Sequence, residues 1–112
     1  MTASIDISEQ EQRALDDLTK RLRSQLPVSR VILFGSRVTG TADEESDIDL
    51  LILVDCPVSI ELRKLVINET FEVNLEHGVN ISSLVVEDRD WREGLASVLP
   101  LHNEVEEVGV DL

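Results

Sequence analysis

Aromatics, lysine and cysteine are all scarce in this 112-residue sequence, and each shortage excludes something. Phe34, Phe71 and Trp91 are the whole aromatic set, so the chain has no stock of exposed rings for a base-stacking module. Lysine occurs only at Lys20 and Lys64, and 23 acidic residues face 10 basic ones. The formal charge of −13 repels phosphate backbones, so direct nucleic-acid binding is not expected. It favours basic partners, or divalent cations that bring a phosphate ligand with them. Solubility, or a salty cytoplasm, accounts for the excess as a whole equally well. Cys56 is alone, which excludes an intramolecular disulfide and reads as intracellular. The longest apolar run, Leu50 to Val54, is far too short to cross a bilayer, and the first ten residues lack a signal-like stretch. The expectation is one soluble, cytoplasmic domain over 1–112 with no membrane contact.

What is present is a 42% apolar share supplied chiefly by Leu, Val and Ile, the composition of a layered α/β (α+β) domain. Ser8 with Glu11 forms a capping box, and Leu15, Leu18, Leu22 and Leu26 then make one helical stripe that Pro27 ends. Val31 to Phe34 suits a buried strand, GSRVTGTADEES is a turn-rich connection, and Asp47 to Val54 is a second strand, central in the sheet. A helix over Ile60 to Glu76 buries Leu62, Leu65, Val66 and Val73 and stops at Gly78. Val79 to Val86 is a third strand. Asp88 caps a short segment through Trp91, and Pro100 opens a last helix with Leu101, Val105 and Val108 on one face. The order α-β-β-α-β-α predicts a small mixed sheet of three to four strands flanked by helices.

Chemistry concentrates in Phe34 to Val54. Gly35, directly after a buried strand, allows a tight turn and close approach of a ligand to the backbone. Ser36 adds a hydroxyl and an N–H where a helical turn starts, and Gly40 permits a second reversal. Together they can cradle the outer phosphates of a nucleotide. Asp47 and Asp49 stand two apart on a strand, hence on one face and roughly 7 Å apart along the backbone. Two such carboxylates repel unless a cation lies between them, and Mg²⁺ prefers oxygen ligands shared with substrate phosphates. A Gly-Ser pair alone is usually only a turn, and Asp-x-Asp alone is usually a solvated edge or a cap. Their conjunction across a short polar loop is what a plain hairpin does not need.

The run G-S-x-x-x-G followed by S-D-I-D-L resembles the signature of the polymerase-β-type nucleotidyltransferase superfamily, and is especially similar to its minimal nucleotidyltransferases. The likeness extends over nearly the whole chain, including the GVNISSLVVEDRDW strand and the PLHNEVEEVGVDL helix. It implies that Gly35 and Ser36 contact a triphosphate and that Asp47 and Asp49 bind Mg²⁺, with ATP as substrate. Family members that catalyse transfer usually carry a third acid on the later strand. Here Asn80 and Ser82 occupy the candidate places, and neither is acidic. Glu72, Glu76 and Asp88 are weaker substitutes.

Of the remaining residues, Arg37 can reach a phosphate or lie as an ordinary surface arginine. His77 and His102 lack partners at ligand spacing, so zinc is not expected. Cys56 has no nearby base and reads as a packed thiol, Trp91 as a packing anchor, and Glu104, Glu106 and Glu107 as a solvated helix face. The leading expectation is transfer of a nucleoside monophosphate, AMP, from Mg²⁺–ATP to a hydroxyl. The resemblance supplies the acceptor class, since minimal nucleotidyltransferases often pair with a small helical HEPN protein as antitoxin and toxin. The competing expectation is a binding module that keeps the fold and neutralises a partner by contact. Transfer to a small molecule such as an aminoglycoside is weaker, because a second domain would be needed to enclose it.

Overall fold

A computed structural model describes residues 6–40 and 47–112. Ser46 and the second half of the expected turn-rich connection lie outside the described residues. Helix α1 (Glu9–Gln25) opens on the capping box: the Ser8 hydroxyl accepts from the Glu11 N–H, and the Glu11 carboxylate accepts from the Ser8 N–H. Strand β1 (Val28–Phe34), the short helix α2 (Ser36–Thr39) and strand β2 (Ile48–Val54) follow. Then come α3 (Ile60–His77), β3 (Ile81–Glu87), α4 (Asp88–Glu93), a 3-10 turn (Leu95–Val98), α5 (Pro100–Val108) and β4 (Val110–Asp111).

The four strands form one sheet in the order β3-β2-β1-β4. β2 runs antiparallel to β1 and parallel to β3, and α3 makes the crossover that a parallel pair requires. Leu15, Leu18 and Leu22 of α1 and Val66 and Val73 of α3 pack on one face, over Leu33, Leu50 and Ile52. Trp91, Ala96 and Val105 cover the other face over Ile32, Leu51 and Leu53. β2 is thus buried on both sides, the physical reason that its sequence is a continuous apolar run rather than an alternating one.

Several details differ from expectation: β1 starts at Val28 rather than Val31, β2 at Ile48 rather than Asp47, and Asp88 is the first residue of α4 rather than its cap, Glu87 preceding it with no side-chain cap. β3 starts at Ile81 rather than Val79, because Gly78 caps α3 in the left-handed conformation and the Val79 N–H still donates to the Asn74 carbonyl. β4 was not anticipated. Two residues are too few to show a period, and it forms because the chain after α5 pairs Val110 with Leu33 and Asp111 with Ile32. Val108 is 39% exposed instead of joining Val105 in the core, since the helix ends there to enter β4. At the free edge, the Asn74 side chain does what a neighbouring strand would: its amide donates to the Ile81 carbonyl at 3.1 Å and its oxygen accepts from the Ile81 N–H at 2.8 Å.

Candidate functional site

The end of β1 and the starts of β2 and β3 meet at one edge of the molecule. Phe34 pairs with Asp49 in the antiparallel register, so the residue after Phe34 turns directly beside the Asp49 side chain. That residue is Gly35, with φ +83°, and a Cβ built on it would run into the Asp49 carboxylate. Glycine is therefore required twice, by conformation and by space. Ser36 begins α2, half-buried, at a position where a helix offers its own N–H no carbonyl partner. Gly40 closes the turn with φ +79°.

Asp47 is exposed and immediately precedes β2; Asp49 is half-buried within it. Ile48 between them is fully buried under α1 and α3, so both acids lie on the opposite face. Burial pushes the Asp49 carboxyl above the usual carboxylate range, and the charges of Asp47 and then Glu104 push it further. Among the described residues no arginine, lysine or histidine pairs with either acid. An uncompensated pair of hard oxygen ligands beside a cleared backbone turn fits a divalent cation bound with a polyphosphate. Asp47 and Asp49 are the residues that could hold it. Glu104, expected only as part of a solvated helix face, feeds the same negative field from α5. No sequence signal places it there, because its approach depends on how α5 folds back over β1.

The positions for a third acid fall where spacing put them, and both side chains are neutral. In the parallel register Ser82 stands abreast of Asp49, and Asn80 just ahead of β3 accepts the Ile48 N–H through its carbonyl at 2.9 Å. The substitutes do not reach the site. Glu72 and Glu76 turn to Arg21 on the α1 side, at 3.5 and 2.5 Å, and Asp88, at the far end of β3, accepts from Ser29 and Arg92. Arg37 is not a surface arginine. It is 8% exposed, and its Nη1 donates to the Glu11 carboxylate at 2.9 Å and to the Asp6 carbonyl at 3.0 Å, tying α2 to the entrance of α1.

His77 is less isolated than its spacing suggested: its Nε2 lies 2.9 Å from Asp17, with Glu76 alongside. Arg21 already supplies the positive charge in that cluster, contacting Asp17 at 3.0 Å as well as Glu76, which makes it a clasp between α1 and α3. His102 stacks against Trp91 with ring centroids 4.6 Å apart.

A family model for the nucleotidyltransferase domain matches residues 15–94, the span from α1 to the end of α4. MJ1305 of Methanocaldococcus jannaschii, which bears the name "Putative protein adenylyltransferase", is 41% identical over 73 residues, covering 63% of this chain and 48% of that protein. The chain thus spans about half of that relative's length. MJ0141 from the same organism, with the same name, is 36% identical over 69 residues, or 62% of this chain and 68% of its own. Among solved structures, a toxin-antitoxin with AMP-PNP superposes with a TM-score of 0.58 at 21% identity, over 86% of this chain and 69% of that one. A tri-AMPylated Shewanella oneidensis HEPN toxin in complex with an MNT antitoxin gives 0.53 at 19%, over 89% and 69%. These two establish the fold. With the family match over most of its length, the chain belongs to the nucleotidyltransferase domain family.

Proposed function

We propose that this domain binds Mg²⁺–ATP at the Gly35–Asp49 corner and transfers AMP to a hydroxyl on a partner protein. The observation that carries this reading is the apposition of a glycine that admits no side chain and a half-buried carboxylate with a second acid beside it and, among the described residues, no cation paired to either. Gly35 and Ser36 hold the outer phosphates through backbone N–H groups and the serine hydroxyl, and Arg37 holds that turn in place from behind. Asp47 and Asp49 hold the cation, which when bound neutralises charge on the phosphates. The acceptor oxygen bonds to the α-phosphorus, the bond from that phosphorus to the bridging oxygen breaks, pyrophosphate departs, and the hydroxyl proton passes to water. The relatives named as adenylyltransferases, and the fold shared with a complex holding an AMPylated HEPN toxin, support a protein acceptor of the HEPN class in a toxin-antitoxin pair.

Ser82 beside Asp49 favours a second reading, a nucleotide-binding module that acts by contact. A hydroxyl brings no charge to the cation and takes no proton near neutral pH. The two readings separate on incubation with α-labelled ATP, Mg²⁺ and the product of the adjacent gene. Transfer that disappears in Asp47→Asn supports the enzyme; a stable complex without label supports the module. In the second case Ser82→Asp, which adds a carboxylate abreast of Asp49, should make label transfer detectable if geometry is otherwise complete.

A further inference from the structure

An apolar groove of about 560 Å³ runs along the free edge of the sheet, between β3 and the α4–3-10 segment. Leu84 and Val86 form its floor, Trp91 and Ala96 its inner wall, and Leu95 and Leu99 its lip. The size is that of a pocket for a few side chains. Its lip is unusual. Leu95 is 83% exposed and Val98 beside it 78%, so apolar surface continues out of the cleft onto the open face, as at protein-binding sites.

The groove also has a direction. Ser82, Leu84 and Val86 alternate onto the same face of β3, and Ser82 is abreast of Asp49. The groove therefore begins at Leu84, two residues or roughly 7 Å along β3 from Ser82, the cross-strand neighbour of Asp49. Its other rim carries Glu87 and Asp90 against one cation, Arg63, so the lining is acidic on balance, and the whole chain has a charge of −13. A second copy of this chain would meet that field with the same sign. A second exposed apolar stripe, Ile67, Phe71 and Leu75 on α3, borders clefts that reach Asn80, but it lies on the helix covering the face opposite the paired acids and no acidic side chain lines those clefts.

We infer that this groove docks the acceptor protein: it takes an apolar segment of a basic partner, with lysine or arginine against Glu87 and Asp90, and so presents a nearby hydroxyl to Asp47 and Asp49. The apolar anchors and the acceptor hydroxyl are separated by about two or three residues of extended chain. The inference rests on the transferase reading above for what happens at the hydroxyl, and on the groove itself for binding.

The test is amide-resolved NMR of the full chain titrated with a short synthetic peptide carrying a leucine pair flanked by lysines. The expected result is shifts at Leu84, Val86, Leu95 and Ala96. Leu95→Lys, at an exposed position that folding does not need, should weaken binding about tenfold or more. Gln12→Lys on α1 makes the same charge change and should leave affinity essentially unaltered. The inference is overturned by no binding, by shifts confined to the Asp47–Asp49 corner or to the α3 stripe, or by equal binding of a peptide with glutamates for lysines. Self-association through the groove, seen by sedimentation and abolished by Leu95→Lys, overturns it too. Mg²⁺–ATP affinity is measured on the same samples. Its absence from the wild type would defeat the nucleotide reading while leaving the peptide result intact.

Discussion

At the residue scale the molecule turns on Gly35 and the carboxylate beside it. Gly35→Ala forces an L residue to φ +83° and pushes a methyl into Asp49, so strain and displacement act together. The expected loss is roughly 1–3 kcal/mol in denaturant unfolding, with Mg²⁺–ATP binding abolished in calorimetry. Asp49 carries the opposite sign. Its carboxyl sits above its unfolded value, through burial and then through Asp47 and Glu104, so the ionised form opposes folding and protonation relieves it as pH falls through the raised pKa. Asp49→Asn should therefore raise the melting temperature of the ligand-free protein at neutral pH by a few degrees at most, while eliminating Mg²⁺ affinity. In the wild type that affinity should begin to fall on acidification at a higher pH than an ordinary aspartate would give, followed by Mn²⁺ titration across the acidic range. Gly35, Asp47 and Asp49 were all legible in the sequence, because a glycine after a strand and two acids at strand spacing have few uses. Arg37 and Glu104 were not. The meaning of an arginine or a glutamate depends on which distant element it meets, and neither one's spacing records that Glu11 or Asp49 will be there.

At the scale of elements, the site is held by a brace between α1 and α2. Burial works against ionised Glu11, yet the Arg37 and Ser8 hydrogen bonds more than offset it and hold its carboxyl below the usual range. The contribution is complete above the unfolded value and is lost as pH falls through the lowered one. Arg37→Met should cost about 1.5–3 kcal/mol in urea unfolding near neutral pH, with the difference from wild type shrinking as the solution is acidified below the ordinary glutamate range. The periodic elements were readable in sequence: α1 from its capping box and leucine stripe, β2 from five consecutive apolar residues, and α3 from its Gly78 stop. The 3-10 turn and β4 were not, since four and two residues hold less than a full pattern and their conformation is set by the surface they land on.

For the whole molecule, charge dominates. A formal −13 on a body of this size repels itself, with Arg21 and Arg30 each already shared between acids of different elements. Raising the ionic strength from low salt to about 0.5 M should therefore raise the melting temperature, because screening weakens the net repulsion more than these few exposed pairs. The same change should weaken capture of a basic partner, and surface plasmon resonance across the series would show both association rate and affinity falling. The open border of the sheet carries a different consequence. Its outermost strand starts with both backbone groups of Ile81 occupied by a helix-borne amide, so the stretch that could recruit an alien strand is shortened at the end where the acids lie. An added strand could pair only beyond Ile81 unless it prised Asn74 away, so the oily margin of this edge offers a shorter template for polymerisation than the length of the strand suggests.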